Sequence, residues 1–263
     1  MALKLAIAGA GGRMGRMLLN AAQSDAEVAV VAALEHIGSA LVGQRALAGV
    51  VITDDLTTGL RDSDVLIDFT RPEGTLAHLA ACVEQGVNVV IGTTGFSESQ
   101  LRELENFASR IAIVFAPNMS LGVNVTAKLV ALAAKSLGMD ADIEVFEAHH
   151  KLKVDAPSGT ALMLGRVAAE ARGQDFEQVA TYARHGVTGE KVPGTIGFSA
   201  LRAGDIIGDH TVYLVLNGER IEITHRSSSR ETYAHGAIRA AKFLAGKKAG
   251  LYDMNAVLGL GSD

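Results

Sequence analysis

Fourteen residues hold most of this chain's capacity for acid–base and anion chemistry: Glu147-Ala148-His149-His150-Lys151-Leu152-Lys153-Val154-Asp155-Ala156-Pro157-Ser158-Gly159-Thr160. Two adjacent histidines and two lysines precede a Pro-Ser-Gly-Thr turn that reads as a helix start. A metal site does not suit them. Neighbouring histidines on a strand point to opposite faces, and no third ligand stands at metal-binding spacing. An anion site suits them better. Ser158 is expected to cap the helix, leaving the N–H groups of Gly159 and Thr160 to meet a carboxylate. His150 and Lys153 add donors, and His149 can exchange a proton near neutral pH. A solvated basic loop with an ordinary helix cap would carry the same residues.

A second constellation opens the chain: Gly9-Ala10-Gly11-Gly12-Arg13-Met14-Gly15, between a strand-like run and a helix-like one. Its spacing is GxxGxxG through Gly9, Gly12 and Gly15 rather than the commoner GxGxxG. Backbone N–H groups at such a helix start can cradle a pyrophosphate. Glu35, 20 residues after Gly15 at the end of the next strand, stands where an acid hydrogen-bonds an adenosine ribose. A plain strand-to-helix turn explains the glycines alone; turn, strand order and acid together point to a dinucleotide. Gly92-Thr93-Thr94 and Ala116-Pro117-Asn118-Met119 follow two later strands at the same edge of the expected sheet, where ligands of open α/β sheets bind. Taken singly, they also read as a βα loop and a hinge.

Positioning these groups requires two kinds of sheet. Leu3–Ala8, Val28–Leu34, Asp64–Phe69, Asn88–Ile91 and Ile111–Ala116 are short apolar runs that alternate with helical stretches at Arg13–Ser24, Pro72–Gln85 and Ser97–Ser109. That alternation predicts a parallel sheet covered on both faces. After Pro117 come a long helix at Leu121–Leu137, a strand at Asp142–Ala148 and a helix at Gly159–Ala171. Strands at Ile196–Leu201, Thr211–Leu216 and Glu219–Thr224 follow, the last two joined by Asn217-Gly218, a hairpin signal. A helix at Tyr233–Ala245 closes the pattern. The expected fold is therefore α/β, a Rossmann-type doubly wound parallel sheet plus a smaller α+β domain with a mixed sheet, divided near residue 120. The other histidines, His36, His78, His185, His210, His225 and His235, read as structural or exposed, and Cys82 as a small core residue.

Composition narrows the partners. The 263 residues carry a net charge of −5, which gives no broad basic field for nucleic acid. A single cysteine excludes an intramolecular disulfide and a cysteine-based metal site. A strand-like run begins at Leu3, so no signal peptide is expected, and no apolar run approaches the roughly 20 residues of a membrane span. The expected setting is the cytoplasm.

With AIAGAGGRMG, DFTRPEGT, VIGTTGF, FAPNMSLGVN, EAHHKLKVDAPSGTA, VPGTIGFSALRAGDIIGDHTV and GLYDMNAVLG, the chain resembles the 4-hydroxy-tetrahydrodipicolinate reductases of bacterial lysine and diaminopimelate synthesis over essentially its whole length. The resemblance implies an NAD(P)H-dependent oxidoreductase acting on a cyclic imine with two carboxylates. It implies a cofactor domain of residues 1–120 and 230–263, a substrate and oligomerisation domain of residues 121–229, and a homotetramer. Carried over, Gly9, Ala10, Gly11, Gly12, Arg13, Met14, Glu35, Gly92, Thr93, Thr94, Ala116, Pro117, Asn118 and Met119 line NADH or NADPH. His149 matches the acid/base position, Lys153 the proton donor, and His150, Gly159 and Thr160 the substrate binders. One departure is His36, beside the ribose acid, where members that use NADPH well carry Arg; NADH is then expected to serve at least as well. Two other readings are a nicotinamide oxidoreductase of similar layout on another small acid, and a non-catalytic dinucleotide sensor. The His-His-x-x-Lys and Pro-Ser-Gly-Thr stretch argues against both.

Overall fold

The apolar runs become strands because each can bury both faces. In the computed structural model, which describes residues 1–261, the chain runs β1 (Leu3–Ala8), α1 (Arg13–Gln23), β2 (Val28–Leu34), β3 (Arg45–Leu47), β4 (Val50–Thr53), α2 (Leu56–Leu60), β5 (Val65–Asp68), α3 (Pro72–Gln85), β6 (Asn88–Ile91), α4 (Glu98–Ala108) and β7 (Ala112–Phe115). Next come α5 (Leu121–Leu137), β8 (Asp142–His149), α6 (Gly159–Ala171), α7 (Phe176–Val179), β9 (Ala180–Thr181), β10 (Ile196–Arg202), β11 (Gly208–Val215) and β12 (Arg220–Ser227). The chain closes with α8 (Glu231–Leu244), β13 (Gly250–Tyr252) and α9 (Met254–Leu258). It divides into two units, residues 1–121 with 231–263, and residues 122–230.

The first unit is built on an eight-stranded sheet ordered β13-β7-β6-β5-β1-β2-β4-β3, parallel except for the β3–β4 pair. Its side chains sort by the two-residue period of a strand. Leu5, Ile7, Val65, Ile67 and Val90 face a core shared with Leu18 of α1 and Ala237, Ala241 and Leu244 of α8. Ala6, Ala8, Leu66, Val89 and Ile91 face the opposite core with Leu79 and Cys82 of α3 and Leu104 of α4. Cys82 is thus the core residue expected of it. Strand order reverses between β1 and β5, the switch point at which open α/β sheets bind ligands.

The second unit has a five-stranded mixed sheet, β12-β11-β8-β10-β9, with β8 parallel to β10 and antiparallel to β11. Ile143, Val145, Ile196, Phe198, Val212 and Leu214 pack one face against α5 and α6 through Val130, Ala134, Ala161, Leu164 and Ala168. The same alternation carries Glu147 and His149 onto this helix-covered face at the end of β8. Register then sets Ala200 and His210 beside Glu147, and Arg202 beside His149. An apolar face therefore turns polar at one end of the strands. Among the described residues, no helix is long and apolar enough to cross a membrane.

The expected elements recur, six with the expected bounds and the others with ends shifted by up to three residues. Six features went unread: the β3–β4 pair, α2, α7, β9, edge strand β13 and α9. Their spans of two to five residues are too short to show a period.

Candidate active site

In the first unit, the glycine turn leads from β1 into α1. Gly9 adopts φ +63°, a left-handed conformation that L side chains rarely tolerate, and bends the chain so that Gly12 N donates to Gly9 O at 2.9 Å. Helix α1 starts at N-cap Gly12, which supplies no side-chain cap to the N–H groups of the first turn, and no acid lies in that turn. Uncapped donors and the positive end of the helix fit the pyrophosphate of a dinucleotide. Glu35 reaches this turn, its Oε1 accepting from Gly11 N at 2.8 Å. His36 is exposed, with Nδ1 2.9 Å from the carbonyl oxygen of Ile37.

Beneath the neighbouring loops lies a polar cluster that the sequence reading passed over. Asp68, fully buried at the end of β5, accepts from Thr70 N at 2.8 Å and Thr70 Oγ1 at 2.6 Å and pairs with His78 Nδ1 at 2.7 Å. Burial alone would raise its carboxyl; the bonds from His78 and Thr70 outweigh that and hold it below the usual carboxylate range. Thr93 is drawn into this cluster, its hydroxyl accepting from Thr75 Oγ1 at 2.9 Å. With Thr93 2% and Met119 1% exposed, neither side chain can line a cofactor. Met119 is core, packed with α8, and corrects the expectation for its side chain: an apolar residue under a helix gains more by burial than by contact with a ligand. Ala10 and Ala116 are likewise buried, so these positions offer backbone only.

In the second unit, the end of β8 carries an acid–imidazole pair. Glu147 Oε2 lies 2.6 Å from His149 Nδ1, and both side chains are nearly buried. The carboxylate also accepts from Arg202 Nη1 at 2.7 Å, Arg202 Nη2 at 2.6 Å and Ser158 N at 3.1 Å. Burial pushes the Glu147 carboxyl up, but the bonds from Arg202 and His149 leave it lowered, so it is an anion. An anion beside Nδ1 fixes the proton there and turns Nε2 toward chemistry. Lys153 Nζ is held by both oxygens of Asp155 at 2.8 Å. Arg230 Nη2 donates to His150 Nε2 at 3.2 Å, adding a cation the sequence reading did not name.

Ser158 is the expected N-cap, with Oγ accepting from Ala161 N at 3.1 Å. The same oxygen lies 2.8 Å from His210 Nε2, and Ser158 is 3% exposed. Its hydroxyl and N–H are both engaged. It therefore holds the start of α6 to β11 and to Glu147.

His210, read from the sequence only as structural or exposed because nothing local marks it, is brought by β11 register against His149, ring centroids 5.1 Å apart. Burial, reinforced by the nearby charge of His149, lowers it from the usual 6.5 to about 4. The unfolded chain takes up this proton near 6.5 and the folded one only near 4, so stability falls as pH drops through that window. The expected loss is up to roughly 3 kcal/mol, from about 1.4 kcal/mol per unit. His225, also lowered by burial, adds in the same direction. Urea unfolding at pH 7 and 5 tests this: His210→Gln should lose less stability over the interval than the unmodified protein, and equal slopes would refute it.

A doubly wound sheet whose uncapped glycine turn is met by an acid at the end of β2, together with a unit presenting a buried acid–imidazole pair and a lysine, has the make-up of a nicotinamide-dependent oxidoreductase. Family models described as dihydrodipicolinate reductase N-terminus and C-terminus match residues 3–119 and 122–258. The 4-hydroxy-tetrahydrodipicolinate reductase of Ralstonia nicotianae is 58% identical, covering 98% of this chain and 100% of that protein. The same enzyme of Burkholderia ambifaria is 58% identical with the same coverage. Among solved structures, dipicolinate-bound dihydrodipicolinate reductase from Paenisporosarcina sp. TG-14 superposes with TM-score 0.81 at 25% identity, covering 97% of this chain and 99% of that one. GenD2 from gentamicin A biosynthesis, 15% identical with TM-score 0.58 and covering 98% of this chain and 91% of that one, shares the fold alone.

The chain belongs to the dihydrodipicolinate reductase family. Its activity is the NAD(P)H-dependent reduction of 4-hydroxy-tetrahydrodipicolinate to tetrahydrodipicolinate in lysine and diaminopimelate biosynthesis.

Proposed function

We propose that residues 1–121 with 231–263 hold the dinucleotide and residues 122–230 the substrate, with His149 and Lys153 as the acid–base groups. When bound, the nicotinamide cofactor supplies hydride to the conjugated C=C–C=N system left by loss of the 4-hydroxyl. The N–H groups at the start of the first helix, from Arg13 on, hold the pyrophosphate, and Glu35 accepts from the ribose hydroxyls. On the substrate side, the capped start of α6 at Gly159 and Thr160, with His150 and Arg230, holds a carboxylate and orients the ring. His149 exchanges its proton at Nε2, and Lys153 leaves Asp155 to complete the product with a proton. The observation that carries this reading is the 2.6 Å pairing of His149 Nδ1 with an anionic Glu147.

Dipicolinate, the planar dicarboxylate held by the Paenisporosarcina relative, tests the anion site. It should compete with substrate, and Thr160→Val should weaken it by roughly 1–3 kcal/mol, the cost of leaving a buried polar group unpaired. Equal inhibition of both proteins would move the site elsewhere.

Glu35 repels a 2′-phosphate, and His36 is a weaker offset than the permanent, forked charge of an arginine. NADH therefore serves as well as NADPH or better. Replacing His36 with Arg should raise the kcat/KM ratio toward NADPH; a strong NADPH preference in the unmodified enzyme at pH 8 would contradict the assignment.

The face of the second sheet turned away from α5 and α6 carries Phe146, Leu201, Tyr213 and Val215, none of them buried. It supports a homotetramer joined through these sheets. A cytoplasmic setting completes the reading, since the reaction draws on a diffusible nicotinamide cofactor.

A further inference from the structure

Arg202, the last residue of β10, is joined to both proposed acid–base groups through one intermediary each. Its two terminal nitrogens grip both oxygens of Glu147 at 2.6 and 2.7 Å, and Glu147 in turn holds His149 Nδ1. One of those nitrogens, Nη2, also donates to the backbone carbonyl of Asp155 at 2.6 Å, while the Asp155 carboxylate holds Lys153. Nη1 is steadied further by the carbonyl of Leu201 at 2.7 Å. The guanidinium thus ties β8, β10 and the loop that carries Lys153 at a single point.

We infer that Arg202 is the positioning residue of this reaction: it sets the tautomer and direction of His149 through Glu147 and seats the Lys153 loop through Asp155. The inference deepens the roles proposed above and rests on them. A lysine could not replace it, because a compact ammonium cannot span two carboxylate oxygens and a carbonyl in one plane. Without the guanidinium, Glu147 is a buried carboxylate whose remaining donors are His149 and the Ser158 N–H. Its charge then either bears undiluted on His149 or is lost to a proton.

The groups facing His149 are Glu147 on its own strand, Arg202 from β10 and His210 from β11, with the Lys153–Asp155 pair in the loop that follows.

The test compares Arg202→Met, Arg202→Lys, Glu147→Gln and His149→Gln in the full-length enzyme by kcat, KM, NADH affinity and melting temperature. Arg202→Met is expected to lower kcat by about 10–100-fold, the usual cost of losing a partner that orients a reacting group, with NADH affinity unchanged. Arg202→Lys, which keeps the charge and guards against misfolding, should restore melting temperature more than kcat. A normal kcat in either Arg202 variant would overturn the inference while leaving His149 and Lys153 in place. Normal turnover in His149→Gln would overturn those roles, and this inference with them.

Discussion

His149→Gln and Lys153→Ala should each lower kcat by roughly 10²–10⁴-fold while leaving NADH affinity unchanged, the scale lost with a positioned proton donor or acceptor. Glutamine keeps a hydrogen-bonding end close to where the imidazole stood but cannot exchange a proton. Glu147 would remain satisfied by Arg202 and Ser158 N, so the site keeps its shape and loses only its chemistry. Lys153 is paired with an exposed carboxylate on a loop, so its removal costs little stability. Neither residue belongs to the unit that carries the glycine turn, which is why cofactor affinity should not move. Fluorescence titration with NADH beside steady-state kinetics makes the comparison. Near-normal turnover in both single variants would end the assignment; a loss of NADH affinity matching the loss of kcat would show that the damage is not chemical.

The second large effect is expected at Gly15. An added Cβ there would lie 2.1 Å from the Gly9 carbonyl oxygen and 2.7 Å from Ala10 Cα, both backbone atoms of the turn. Neither can give way without opening the bend that presents the N–H groups at the start of α1. Overpacking of this kind costs roughly 1–3 kcal/mol, or about 2–12 °C in Tm at the size of this unit. Gly15→Ala should therefore lower Tm and NADH affinity together. Gly12→Ala should do less, because its Cβ would stand 3.1 Å from the Gly9 oxygen. At Gly11 the near neighbour is the flexible end of Leu41, 2.0 Å away, which can swing aside, so stability should hold best there. Thermal melts and NADH titrations of the three variants rank them. An unchanged Tm in Gly15→Ala would refute the packing argument.

The features legible in the chain are those written by local physics. Apolar runs bounded by turns mark β1, β2, β5, β6 and β7, because a strand buried on both faces needs no polar side. Asn217-Gly218 marks the β11–β12 hairpin, because its turn demands residues that accept positive φ; Gly218 has φ +91°. Ser158 announces itself as a cap, because its short side chain returns to the N–H three residues on. The GxxGxxG turn, Glu35 and the His149-to-Thr160 stretch were readable for the same reason. Each is a set of neighbours in sequence whose types restrict what they can do.

What the tertiary structure decided is which of those neighbours are occupied and by whom. Ser158 lost its hydroxyl to His210, 52 residues away, and Met119 and Thr93 turned their side chains inward. Arg202 and His210 gave no sign in their own segments. They matter because β10 and β11 flank β8 in a register that sets them against His149 and Glu147. Strand pairing is a long-range choice, made by how the buried faces of whole elements fit together. A sequence read locally therefore names the groups that can do chemistry, whereas the ion pair that keeps Glu147 charged and aims His149 exists only once the sheet has assembled.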